Sequence, residues 1–295
     1  MEQLRTIANP YGLDSKGIRA IARGIRVTAL RMTTRSKLGH VGTDLSEIDI
    51  LSSLYFSILR YQRGSIDHPD RDYFILSKGH GAGGYYATLC EAGFFPREYL
   101  DTYMEFDSHL PGHPTRAKTP GVEFSTGALG HGLSVAAGIA LSCKRNNRSN
   151  RVYVLTGDGE LQEGSNWEAA MAISAFGLTN LYWIIDRNSL QLGGGTESIM
   201  PIDPLEDKLR AFGFSVTHLN GNDPAEILQA ITKAQESKDN RPQALIAHTV
   251  KGSGVSFMEN ICAWHHKIPS AEECALAMGE LDSELDSELS VGGSE

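Results

Sequence analysis

Thr156-Gly157-Asp158-Gly159-Glu160-Leu161-Gln162-Glu163-Gly164 closes an apolar run, Arg151 to Thr156 (RVYVLT), and leads into helical spacing from Glu163 to Phe176. A second apolar run follows, Leu181-Tyr182-Trp183-Ile184-Ile185-Asp186-Arg187-Asn188. The two runs read as strands, and the segment between them sets Trp167, Ala170, Met171 and Ser174 on one helical face. This is a β-α-β unit. It places Asp158 and Asn188 at the carboxyl ends of two parallel strands, where open α/β sheets take ligands. Gly157 and Gly159 let backbone approach something bulky. One carboxylate and one amide oxygen suit Mg2+, which binds few protein oxygens and leaves its other positions to water and phosphate. Gly-Asp-Gly by itself reads as an ordinary strand-to-helix turn capped by Asp158. The Asn at the end of a second strand shifts the reading to a ligand site.

Upstream, Asp14 to Met32 has helical spacing, with Ile18, Ile21, Ala22, Ile25 and Ala29 on one face. Gly39-His40-Val41-Gly42 breaks it, and Ser46 reads as the cap of a helix to Leu59 that is apolar nearly all round. Arg71 to Leu76 is a short strand. Ser77-Lys78-Gly79-His80-Gly81 then opens a helix, a place where unpaired backbone N–H groups favour an anion. His80 has three readings there: a cap, a core histidine or a phosphate contact. Pro111-Gly112-His113-Pro114 is rigid loop chemistry. Ser125-Thr126-Gly127-Ala128-Leu129-Gly130 is a coil shaped for close approach, ahead of a helix from Leu133 to Leu141.

Downstream of Asn188, Gln191 to Ser198 is glycine-rich and reads as mobile. Strand–helix alternation continues with a helix at 204–212, a strand at 214–219, a helix opened by Asp223-Pro224 and a strand at 243–249. The fold class is therefore α/β: a doubly wound, mostly parallel sheet flanked by helices. One domain is expected over residues 1–279. Residues 280–295 (ELDSELDSELSVGGSE) read as an acidic tail, a frayed helix or disordered.

A chain of 295 residues with 41% hydrophobic and 21% charged residues is an ordinary soluble composition. Net charge −9 without a basic cluster argues against nucleic acid. Met1 to Pro10 carries no signal-peptide pattern, and no apolar run reaches membrane-spanning length. Four separated cysteines without a CxxC suggest reduced thiols and a cytoplasmic protein.

Taken together, the ordered motifs from about Lys16 to Pro269 resemble the amino-terminal, diphosphate-binding half of transketolase. Gly-Asp-Gly followed by Asn resembles that family's thiamine diphosphate motif. The resemblance implies Mg2+ on Asp158, Asn188 and the carbonyl of Leu190, with Ca2+ or Mn2+ as substitutes. It implies His80, Gly127, Leu129, Gly157, Gly159 and His265 at the cofactor. His40, His113 and His265 are the expected proton-handling and substrate-facing residues, the last in Trp264-His265. Glu163 and Glu168 match acidic positions at a domain interface. Glu163 has a second reading as helix N-terminal charge. Three positions depart from the family: Val41 stands for a usual proline, His131 for glutamine and His266 for glycine.

The family's second domain, which binds the pyrimidine ring and supplies a catalytic glutamate, has no counterpart here. The resemblance therefore implies a split transketolase. This chain would hold thiamine diphosphate and Mg2+, and a separate pyrimidine-binding subunit would supply the glutamate, in a two-plus-two assembly. The reaction would move a two-carbon ketol unit from a sugar or sugar phosphate to an aldehyde. The rivals are one component of a two-oxoacid dehydrogenase or decarboxylase, a specialised-pathway ketol transferase, and a non-catalytic cofactor-binding homologue.

Overall fold

The structure is a computed structural model, and it describes residues 7–291. Residues 1–6 and 292–295 lie outside the described residues, and with them most of the amino-terminal stretch read for a signal and the end of the acidic stretch.

Helix α1 (Ser15–Ser36) begins where the Asp14 carboxylate accepts the Gly17 amide, and it buries Ile18, Ala22, Ile25 and Ala29. Helix α2 (Val41–Ser53) starts six residues earlier than the sequence suggests. Ser46 is no cap. Its hydroxyl lies inside the helix, 2.7 Å from Asp186 Oδ2. One π turn, Leu54–Ile58, extends α2. Strand β1 (Tyr73–Leu76) leads through a tight turn at Gly79–Gly81 into α3 (Ala82–Glu91). A long coil reaches α4 (Gly132–Arg145). Then come β2 (Val152–Gly157), α5 (Gly164–Ala175) and β3 (Leu181–Arg187). The remainder is β4 (Leu190–Gln191), β5 (Gly194–Gly195), α6 (Thr196–Ile199), α7 (Leu205–Ala211), β6 (Ser215–Asn220), α8 (Pro224–Glu236), β7 (Gln243–His248) and α9 (Ala271–Val291).

Five strands form one parallel sheet in the order β1-β2-β3-β7-β6. Alternate residues feed two cores. Tyr153, Leu155, Tyr182, Ile184 and Leu245 pack under α1, α2, α3 and α8. Val152, Val154, Trp183, Ile185 and Ile246 pack under α4, α5 and α7. Burial on both faces is why β2 and β3 read as continuous apolar runs. The sequence expectation of a doubly wound α/β sheet is met.

Three local readings change. In α5 the buried residues are Asn166, Ala169, Ala170 and Ile173, while Met171 is 55% exposed. Ala169, Ala170 and Ile173 pack into the core below the sheet with Trp167 against them, so of the four residues expected on one face Met171 is the one turned outward. Residues 191–198 form the β4–β5 hairpin and α6 rather than a loose loop, because Thr196 N bonds Ser189 O and Cys262 Sγ bonds Gln191 O. Helix α9 runs unbroken through residue 280 to Val291, across the expected domain boundary.

Candidate active site

The carboxyl ends of β1, β2 and β3 carry the site. Asp186 is its hub. It is fully buried at the end of an otherwise apolar strand, and it bonds Lys78 Nζ, Ser46 Oγ, Thr249 Oγ1 and Asn188 Nδ2. Burial works against its charge, but the Lys78 ammonium outweighs this and holds the carboxyl below its ordinary range. Lys78 also lies 2.9 Å from Glu47. Burial alone would lower its basicity; Asp186 and Glu47 reverse that and raise it. Glu47 is the second carboxylate on one ammonium and lies beside Asp44, so burial first and Asp44 among the rest push it up to about 8.

Asp158 ends β2 with its two oxygens in different settings. Oδ2 accepts from Arg187 Nη1 at 2.9 Å, Ser189 N at 2.7 Å and Thr196 Oγ1 at 3.3 Å. Among the described residues Oδ1 accepts only Gly159 N, at 2.8 Å. Burial, then the charge of Asp186, raise its pKa against the pull of Arg187. Asn188 Oδ1 accepts Leu190 N at 3.1 Å, which turns the chain back so that Leu190 returns to the same cavity. Each of Asp158 Oδ1 and Asn188 Oδ1 has one protein donor and lone-pair capacity left. Together with the Leu190 carbonyl they are hard oxygen donors of the kind Mg2+ takes, so the residues present fit that ion.

One cavity of about 400 Å3 gathers His80, His113, Gly127, Leu129, Gly157, Asp158, Gly159, Glu163, Asn188, Leu190 and His265. Glu163 stands at the N-cap of α5, exposed and without a side-chain capping bond. His40 is at the cavity's margin, with its ring centroid 5.5 Å from His80 and 5.8 Å from His265. His80 and His265 stack at 5.4 Å, and His266 meets His40 at 4.8 Å. Burial first, then neighbouring cations and imidazoles, lower His40 to about 4 and His265 to about 3, and push His80 well below its ordinary value. These rings are neutral at neutral pH, each with one N–H and one lone pair. His265 Nδ1 is buried without a partner among the described residues.

The loops approach so closely that glycine is required. A β-carbon on Gly79 would stand 2.7 Å from the Gly127 amide nitrogen, and one on Gly132 would stand 2.8 Å from Ser77 Cα. Gly127 has φ +139°, and its missing side chain leaves room for the His113 ring. Glu160 ties the three loops together, accepting from Ser77 Oγ at 2.5 Å, Gly130 N at 2.9 Å and Gly157 N at 3.0 Å.

Sequence reading misses Lys251, Thr43, Lys78, Glu160 and Asp186. Lys251 is 1% exposed and lines the cavity, with Nζ 3.5 Å from Leu190 O and no carboxylate partner among the described residues. Burial, then Lys78, lower its pKa to about 8. A lysine between an apolar strand and a Gly-Ser-Gly turn was the available signal, as was a carboxylate within the apolar run of β3. Among the described residues no cluster of three His, Cys, Asp or Glu is placed to hold a metal, and no helix is long and apolar enough to cross a membrane.

Residues 18–290 match the family described as transketolase, thiamine diphosphate binding domain. The chain is 47% identical to one subunit of the apulose-4-phosphate transketolase of Actinobacillus succinogenes, over 94% of its own length and 100% of that protein. It is 38% identical to 6-deoxy-6-sulfo-D-fructose transketolase subunit SqwG of a Clostridium species, over 89% of this chain and 95% of that one. The transketolase of Leishmania mexicana superposes with a TM-score of 0.84 at 29% identity, over 90% of this chain and 41% of that one. That of Campylobacter jejuni gives 0.85 at 28%, over 92% and 43%. The chain thus spans less than half the length of these solved transketolases.

Proposed function

The chain belongs to the transketolase family through its thiamine diphosphate binding domain, and from that premise we propose that it is the diphosphate- and Mg2+-binding subunit of a two-component transketolase. One observation carries the reading. The cavity joins hard oxygen donors from Asp158, Asn188 and Leu190 to a buried ammonium, Lys251, that has no carboxylate partner among the described residues. That pairing suits a metal-bound diphosphate: the oxygens would take the cation, and the ammonium would take the anion. Thiamine diphosphate supplies the chemistry that breaks and remakes a carbon–carbon bond.

The chain's own residues bind, orient and relay protons. Asp158, Asn188 and the Leu190 carbonyl hold Mg2+. His80 and Lys251 would hold the diphosphate, and Gly127 and Leu129 would line the space for the ring system. His40, His113 and His265 take and return protons at the hydroxyls of the substrate, with His265 Nδ1 unpartnered among the described residues. Glu163 stands on the rim, where a pyrimidine-binding partner would bring its glutamate. The expected assembly is two of each chain, in the cytoplasm; four free cysteines are in keeping with that. The named substrates of the two relatives carry a phosphate or a sulfonate. We therefore place the donor among ketoses with an anionic group remote from the carbonyl.

The test is reconstitution. Gentle isolation from the native host should yield a second chain in near-equal amount. The pair should transfer two carbons from a ketose phosphate to an aldehyde, and Asp158→Ala should remove Mg2+-dependent cofactor binding. A chain that is active alone, or that elutes only as its own dimer, would overturn the two-component reading. Unchanged Mg2+ dependence in Asp158→Ala would overturn the metal assignment.

A further inference from the structure

Arg187 is the last residue of β3, one position before Asn188, and its side chain is 8% exposed. By Coulomb's law alone, a guanidinium beside the Asp158 carboxylate weakens the binding of a cation there. Its contacts describe a different role. Nη1 donates to Asp158 Oδ2 at 2.9 Å, while Nη2 donates to Glu197 Oε1 at 2.8 Å and Asp203 Oδ2 at 3.0 Å. Three carboxylates against one guanidinium leave the cluster net negative. Glu197 sits in α6 and Asp203 just past it, on the segment that begins with the β4–β5 hairpin. That hairpin carries Leu190. Glu197 also accepts the amides of Ile202 and Asp203, so the segment is folded around the same carboxylate.

The effect on Asp158 is specific. Among the described residues every donor on Oδ2 is Arg187, Ser189 or Thr196, the last two flanking the hairpin, which leaves Oδ1, with the Gly159 amide alone, as the oxygen available to a cation. The geometry points to Arg187 as a positioning residue for the cation site. It straps the Leu190 hairpin to Asp158 and so brings the metal's ligands into register, with Glu197 and Asp203 neutralising its charge. This rests on the cation site of the proposed function.

The two roles differ in sign. If Arg187 acted through charge, removing it would tighten cation binding; if it acts as a strap, removal loosens the site. The measurement is Mn2+ affinity, read from the electron paramagnetic resonance signal of free Mn2+, with saturating thiamine diphosphate and the chain in complex with its partner. Arg187→Met should weaken Mn2+ by about tenfold or more, as loss of an outer-shell partner does elsewhere. Arg187→Lys, which keeps the charge and loses the fork, should fall between. The double variant Glu197→Gln with Asp203→Asn should also weaken it, because the hairpin is released and the guanidinium is left uncompensated. Affinity in Arg187→Met equal to or tighter than the wild type overturns the inference. Should Arg187→Met fail to fold by circular dichroism, Arg187→Lys decides, because it keeps the charge, and affinity there equal to or tighter than the wild type overturns the inference. Absence of Mn2+ binding in the wild type would instead overturn the cation-site reading, and this inference with it.

Discussion

Gly79→Ala should wedge apart the two loops that frame the cavity. The added carbon would stand 2.7 Å from Gly127 N and 2.9 Å from Thr126 C, where ordinary contacts begin at 3.4 Å. The shortfall of about 0.7 Å falls on backbone atoms, which cannot swing aside as a side-chain tip can. Forced overpacking of this kind costs about 1–3 kcal/mol. The melting temperature should drop by several degrees, at about 2–4 °C per kcal/mol for a domain of this size. If the strain is relieved by parting the loops that carry His80, Gly127 and Leu129, binding must restore it. Thiamine diphosphate affinity should then fall roughly five- to 150-fold. The assays are thermal unfolding and calorimetric titration with excess Mg2+, the partner chain present. Gly24→Ala and Gly138→Ala are the controls: both positions are exposed, in helices, with nothing within 4 Å of an added carbon. Each should gain about 0.5–1 kcal/mol. A lowered melting temperature with unchanged affinity in Gly79→Ala would refute the claim that this contact sets the site.

Lys251→Met should raise the dissociation constant for thiamine diphosphate about ten- to 100-fold, the worth of a charged hydrogen bond, while leaving thiamine unaffected. Equal losses for both ligands would mean that Lys251 acts on the fold and not on the phosphates. Glu47→Gln tests the buried acid pair through pH. Glu47 is raised from an ordinary 4.5 to about 8, chiefly by burial, so the folded chain keeps a proton that the unfolded chain loses. Wild-type stability relative to the variant should therefore decline as pH rises from 4.5 to about 8, by up to about 1.4 kcal/mol per pH unit, and then level off. A difference between the two proteins that is flat across that window would refute the raised pKa.

The sheet was legible because its strands are buried on both faces and carry unbroken apolar runs, and because Gly-Asp-Gly and Asn mark where two of them stop. The glycine-rich loops were legible for a steric reason: Gly79, Gly127 and Gly132 sit where a side chain would collide with neighbouring backbone or a ring. The polar groups beneath the cavity were not. Asp186, Glu160 and Lys251 take their meaning from partners 63, 83 and 61 positions away, and nothing local announces those pairings. Ser46 misled for the same reason. It looks like a cap in isolation, but it is a spoke of the Asp186 hub. The hairpin at 190–195 was hidden by its glycines, which signal looseness until Thr196, Cys262 and Arg187 tie the segment down.

The Asp186 hub has a consequence for how this chain can change. It bolts α2, the Lys78 turn, the end of β3 and the residues after β7 to a single carboxylate, so the floor of the cavity behaves as one unit. A substitution there disturbs every element at once. His131 and His266 lie outside that unit, exposed at a helix start and on a surface turn. Variation is cheap at such positions. Substitutions at such exposed positions leave the cavity floor untouched, and a library meant to spare the fold should be built there rather than on the hub.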